Sequence, residues 1–367
     1  MPEMSAQERL TSRQYTALLA GSAFGAGILT LPRYLCAAAS QDAWGIPLLA
    51  GGAMCLSAAC FLLLCRRFPG MTFPQQLQKI LPLPLANGIL LLFLAYFLTV
   101  AASSIRIVAE VTLLYLLPNT PLWAVALVYC LFVGYTLSGG LRCVGRFNEL
   151  TGFVLLFAFL LLLPSLREGR ITNLSPMFTT DMTALLAAVP MACYSFGISL
   201  LIPLFLPLTD DRFKAAKRTW PTLGFVIAAF SLITLTSVCV LGADTSAHML
   251  FPVITLYKSV SVPVIERLDL FFLTLWTVLA VRPCLNFALA AVRLTDGLFQ
   301  NRLPRRWLSA GIGLFLFFSM LLQSDIVGTI RILHWLGYIF LFLGIALPVL
   351  LLISSRKKVV PCHDSNR

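Results

Sequence analysis

The stretch GSAFGAGILTLP (residues 21–32) lies inside the first long apolar run of the chain. Gly21, Gly25, Gly27 and Pro32 are poor material for a continuous helix. Glycine adds backbone freedom, and proline removes a backbone donor. In an apolar span such a break is tolerated where the freed backbone groups line a cavity or meet a ligand. A second stretch, CYSFGISLLIP (residues 193–203), repeats the pattern. Its Phe196-Gly197 pair echoes Phe24-Gly25, and Pro203 follows as Pro32 does. Matched Gly/Pro interruptions in two halves of a chain point to the binding site of an inverted-repeat transporter. The competing reading is close helix packing at small residues.

The rest of the sequence supplies the surroundings. Of 367 residues, 59% are hydrophobic and only 11% charged. Soluble domains carry about 25% charged residues, so a water-facing surface of this size is excluded. With it go a soluble enzyme, a nucleic-acid module, a secreted disulfide scaffold and a disordered chain. Runs of about 20 apolar residues cross a bilayer as helices. Ten are read here, at 14–38, 44–65, 85–117, 121–138, 148–166, 183–207, 219–242, 264–292, 307–323 and 332–353. The first is expected to be retained and not cleaved as a signal peptide, because Pro32 and Arg33 intervene before Ala37-Ala38-Ala39.

Ten spans place both termini on one side. If that side is the cytoplasm, nineteen Lys and Arg fall in inside segments and six outside (Arg33, Arg167, Arg170, Lys258, Arg267 and Arg331), with Arg106 and Arg282 inside spans. This is a positive-inside bias, and it accounts for the net charge of +12 without nucleic acid. The expected architecture is an all-α integral membrane protein. It has a first five-helix repeat over 14–166, a second over 183–353, inverted relative to the first, and a cytoplasmic tail at 354–367. Helices 1 and 6 are the broken ones.

A half-helix that starts at a break offers N–H groups and a positive dipole end to a carboxylate. One that ends there offers carbonyls to a cation. A zwitterionic amino acid satisfies both. The expected binding residues are Phe24, Gly25, Ala26, Gly27 and Ile28 on one side and Tyr194, Ser195, Phe196, Gly197 and Ile198 on the other. Phe24, Tyr194 and Phe196 are expected to close over the ligand side chain.

Ionisable residues inside spans are costly and are functional candidates. Arg106 and Glu110 share a helix face at i,i+4. With Glu266, Arg267 and Asp269 they form an expected cluster near the outer mouth, either a gate or a structural ion-pair network. Arg282, deeper in the eighth span, is read as a built-in cation donating to carbonyls freed in the first helix. The cysteines (Cys55, Cys60, Cys130, Cys193, Cys239 and Cys284 among them) sit in apolar runs as small hydrophobes. No metal-ligand spacing, phosphate loop or Ser/His/Asp set is present, so no cofactor, metal or enzymatic activity is expected. His334 is read as interfacial, with His248 in a loop and His363 in the tail.

These segments resemble a known family. The glycine-rich first helix ending in Thr30-Leu31-Pro32 is similar to members of the amino acid–polyamine–organocation (APC) superfamily. Leu116-Leu117-Pro118-Asn119-Thr120-Pro121, with Arg146 and Glu149, resembles the spore-germination permeases, the B subunits of bacterial nutrient-germinant receptors. So does FPVITLYKSVSVPVIERLDLFFLTLW (residues 251–276), with Glu266, Arg267, Leu268, Asp269 and then Trp276. The resemblance implies a five-plus-five inverted repeat and a small nutrient ligand, an amino acid or similar. It implies two partner subunits, a large membrane protein and a lipoprotein, and location in the spore inner membrane. The other reading is an amino acid transporter of the same superfamily, proton-coupled or an exchanger. Cation-coupled relatives place hydroxyl ligands in helices 1 and 8. Arg282 in helix 8 speaks against a sodium site.

Overall fold

The computed structural model describes residues 9–259, 267–298 and 304–355. Among them the regular structure is helical, apart from one isolated bridge between Leu10 and Thr209. The helices are α1 (Ser12–Ala23), α2 (Ala26–Ala39), α3 (Ile46–Arg67), α4 (Phe73–Ile80), α5 (Leu83–Tyr115), α6 (Leu122–Ser138), α7 (Gly140–Leu160), α8 (Met182–Cys193), α9 (Ile202–Phe205), α10 (Arg212–Leu241), α11 (Ala243–His248), α12 (Pro252–Lys258), α13 (Leu268–Leu298), α14 (Arg305–Leu321), α15 (Ile326–Leu341) and α16 (Leu347–Ser354).

By length and hydropathy, six helical stretches can cross a membrane, or seven if the bent pair Met182–Cys193 and Gly197–Leu208, angled at 46°, counts as one. This is fewer than the ten expected spans. Helix α1 has only 12 residues before its break, and α6 and α14 have 17 each. Ala26–Arg67 forms one apolar stretch of 42 residues, although the 3₁₀ turn Ser40–Gly45 divides it. Several expected boundaries also shift: the tenth span starts at Ile326, six residues before 332, and the eighth runs to Leu298, six beyond 292. The fifth span begins at Gly140, eight residues early, and the seventh at Arg212. In both cases polar first turns extend an apolar helix. The start of the eighth expected span, 264–266, lies outside the described residues.

Local chemistry explains the ends. A capping box opens α1, in which Thr11 Oγ1 accepts from Gln14 N at 3.2 Å and Gln14 Oε1 accepts from Thr11 N at 3.1 Å. Between α15 and α16, Phe342–Ala346 forms a π turn. Pro348 has no N–H to give Gly344, so the ladder slips there. The expected single span 332–353 therefore survives as one run with a bulge.

Helix α13 is the central post, buried on every side from Leu279 to Val292. It runs along α5 and also contacts α1 and α7. Peripheral helices turn large apolar side chains outward. Examples are Val128, Leu131 and Tyr135 on α6 and Leu314 and Phe318 on α14. Such a broad exposed apolar surface suits lipid and not water.

On one end of the bundle Asp42 joins distant segments. Its carboxylate accepts from the backbone N–H groups of Phe178, Thr179 and Thr180 at 2.7, 2.9 and 3.0 Å. Thr180 Oγ1 donates to Ala39 O at 3.0 Å. Phe178 has φ +58°, a left-handed conformation uncommon for a bulky residue. The Asp42 carboxylate holds the backbone in it.

Candidate functional site

Both expected breaks are present. Helix α1 ends at Ala23 and α2 begins at Ala26, with Phe24 and Gly25 outside helical geometry. Gly25 has φ −124° and ψ −130°, and no side chain caps α2; Ile28 N donates to Gly25 O at 3.3 Å, and the N–H groups of Ala26 and Gly27 are among those a helix start leaves free of intrahelical partners. Helix α8 ends at Cys193. Turn residues Tyr194–Phe196 follow, then the 3₁₀ segment Gly197–Leu201.

The two breaks touch. A β-carbon on Gly27 would overlap the Ser195 hydroxyl and lie 3.3 Å from Tyr194 Oη. Tyr194 Oη and Thr30 Oγ1 are hydrogen-bonded at 3.0 Å. Between them lies a cavity of about 20 Å³, room for about one water. Of the expected residues, Gly25, Ala26, Gly27, Tyr194 and Ser195 line it.

The others do not. Phe24 stacks on Phe230 with centroids 5.6 Å apart and meets Phe159 and Phe225 edge-on. Phe196 also packs on Phe230, at 5.3 Å. These rings pack against one another and do not line the cavity. Ile28 lines a separate apolar pocket with Phe24 and Trp276. Gly197 sits against the Tyr96 hydroxyl, which is buried and has no hydrogen-bond partner among the described residues. Ile198 is buried in the core.

The remaining walls were not anticipated. They are Ser22 and Ala23 at the end of α1, Val100 and Ser104 on α5, Pro283 and Phe287 on α13, and Leu333 on α15. The pairs 100/104 and 283/287 each have i,i+4 spacing, which puts both members on one helix face. That spacing alone does not say which face.

Behind the breaks, the buried carboxamides of Asn148 and Asn286 bond each other at 2.7 and 3.0 Å. Asn286 Nδ2 also donates to Leu18 O at 3.0 Å and Ser22 Oγ at 2.9 Å. This network ties α1, α7 and α13 together. Two asparagines in apolar runs were the available signal, since buried amides must find partners.

Arg282 lies against α1, its Cδ 3.3 Å from where a Gly21 β-carbon would stand. Its recorded hydrogen bond runs from Nε to Leu279 O of its own helix at 3.3 Å. One terminal nitrogen has no partner among the described residues. The expected donation to freed α1 carbonyls is therefore not what the described contacts show.

The expected outer cluster appears as two pairs with no recorded bond between them. Arg106 pairs with Glu110. It also donates to Met320 O at 3.3 Å and Ser324 O at 3.1 Å, capping the C-terminal end of α14. Arg267 pairs with Asp269 at 3.2 Å. Glu266 lies outside the described residues. Among the described residues no group of His, Cys, Asp and Glu is arranged to hold a metal.

Comparison with known proteins follows the same outline. The chain is 27% identical to spore germination protein A2 of Bacillus subtilis (strain 168) over 363 residues, covering 95% of this chain and 96% of the relative. It is 26% identical to spore germination protein B2 of that organism, over 91% of this chain and 92% of the relative. With spore germination protein YndE, also from that organism, identity is 28% over 74% of this chain and 76% of the relative. Residues 9–326 match the family described as "Spore germination protein", and the chain belongs to that family of permease-like membrane proteins.

Proposed function

We propose that the chain is the permease-like subunit of a nutrient-germinant receptor that binds an amino acid or similar small nutrient between its broken helices. The contact of Gly27 with Ser195 and Tyr194 carries this reading. Two interrupted spans, with Phe24-Gly25 and Phe196-Gly197 172 positions apart in sequence, bring backbone that has left helical geometry to one small cavity. Helix ends recognise a carboxylate and an ammonium without any charged side chain. The cavity of about 20 Å³ is too small for an amino acid, so ligand entry requires the two breaks to separate. Binding then shifts the balance between closed and open arrangements, and partner subunits read the shift.

In this reading α1 with α2, and α8 with residues 197–208, are the first and sixth of ten spans in a five-plus-five inverted repeat. The turn Ser40–Gly45 and the shorter helices α6 and α14 complete the count. Both termini face the cytoplasm, the membrane is the spore inner membrane, and the partners are a large membrane subunit and a lipoprotein.

The experiment is a binding screen on purified protein in lipid nanodiscs, reading thermal stabilisation against single amino acids. A saturable shift with one or a few is expected. No shift with any amino acid or other small nutrient sinks the reading. Uptake of the same labelled compound into proteoliposomes would instead assign a transporter.

A further inference from the structure

A second cavity, of about 220 Å³, shares no residue with the one at the breaks. It forms where the last turn of α3 meets the end of the 197–208 segment and the first turn of α10. Leu62, Met71, Leu206 and the largely exposed Phe213 form an apolar wall, and Arg66 and Arg212 supply the charge.

Neither guanidinium has a carboxylate partner among the described residues. Their neighbours are otherwise engaged. Arg67 donates to Leu352 O and Ser355 Oγ, and Asp211 accepts from Lys214 N at 2.9 Å. Across 65–71 and 206–218 the sequence holds six cations (Arg66, Arg67, Arg212, Lys214, Lys217 and Arg218) against two anions, Asp210 and Asp211.

We propose that this cavity binds the headgroup of an anionic glycerophospholipid, with Arg66 and Arg212 on the phosphodiester and the apolar wall along the acyl chains. Arginine forks match phosphate oxygens in pairs. Basic pockets at the ends of membrane helices suit anionic headgroups. A free phosphate would satisfy the arginines and leave the apolar wall and Phe213 unused, so an amphiphile is the better fit. The assignment does not rest on nutrient binding at the helix breaks.

The test reconstitutes the full chain in nanodiscs of mixed phosphatidylcholine and phosphatidylglycerol and measures retained lipid by native mass spectrometry. Preferential retention of phosphatidylglycerol is expected. The variant Arg66→Gln/Arg212→Gln should weaken it by about fivefold per arginine, roughly 25-fold together. Lys214→Gln/Lys217→Gln removes equal charge away from the cavity and should change it little. Equal losses in both double variants, or none in either, would overturn the proposal. Displacement by millimolar inorganic phosphate would reassign the site to free phosphate. Retention that appears only after truncation at Ser355 would make residues 356–367 the occupant and overturn the lipid assignment. If the arginine variant does not fold, a photoactivatable phosphatidylglycerol on the unaltered chain decides. Labelling within 62–71 or 206–216 supports the site, and labelling confined elsewhere refutes it.

Discussion

Gly27 and Ser195 hold the same point between the two helix breaks, so that a single β-carbon on Gly27 would overlap the Ser195 hydroxyl. The contact joins the first half of the chain to the second where both backbones leave helical geometry. It makes Gly27 the most direct handle on the proposed binding site.

Gly27→Val is therefore expected to abolish the ligand-induced thermal shift while leaving membrane insertion intact. Valine is apolar and suits a span, but its branches have no room beside Ser195 and Tyr194. The overpacking costs about 1–3 kcal/mol, which predicts a modest drop in melting temperature as well. A Gly27→Val protein that inserts normally and still responds to its nutrient at the original concentration would remove the first break from the site.

Arg106 should behave as a structural residue. Its removal leaves Glu110 and the Ser324 carbonyl without this partner, while Met320 O still accepts from Gln323 N at 3.3 Å. Breaking such a pair costs on the order of 3 kcal/mol when buried, and Glu110, with 19% of its side chain exposed, places this pair toward the lower end. Arg106→Ala should lower expression and melting temperature before it alters ligand response. Arg106→Met/Glu110→Leu should recover much of the loss, because no lone charge remains. Melting of the three proteins in one detergent checks the order, and a double variant less stable than Arg106→Ala contradicts it.

Two glycines should respond to alanine with opposite sign. A β-carbon on Gly337 would overlap the Pro190 carbonyl of α8, whereas Gly224 in α10 has open space around it. Gly337→Ala must push α15 from α8 and should destabilise by about 1–3 kcal/mol. Gly224→Ala gains only helix propensity, up to about 1 kcal/mol. Thermal melting of the pair in micelles is the measurement, and a stabilising Gly337→Ala would show that α15 does not sit on Pro190.

Asp42→Ala should free the segment ahead of α8. Three backbone N–H groups lose their acceptor, and the left-handed backbone at Phe178 loses its anchor. Limited proteolysis is expected to cut near 175–181 in the variant well before the parent. Asp42→Asn retains one acceptor oxygen and should fall between the two. Equal cleavage in all three proteins would mean the carboxylate does not hold this loop.

The helix breaks were legible in the sequence because glycine acts on its own backbone. Gly25 lies in the first break and Gly197 opens the 3₁₀ segment at the second, whereas Pro32 sits inside α2 and Pro203 in the first turn of α9, away from both breaks. Hydropathy likewise marked the apolar helices, since a bilayer sets their length. What α13 does was less legible. A helix buried on every side has no polar face, so its pattern gives no direction.

The partners across the fold were decided by tertiary structure alone. The sequence placed Phe24 and Phe196 next to the breaks, but the Phe230 ring between them turns both away from the cavity. Arg106 and Glu110 announced their pairing by i,i+4 spacing, yet the carbonyls of Met320 and Ser324 that complete it, at the end of α14 and just beyond it, lie more than 200 residues further along the chain. Asn148 and Asn286 meet across 138 positions. Local backbone chemistry acts over a few residues and can be read there. A contact between distant helices depends on how each helix is rotated, and only packing of the whole bundle fixes that.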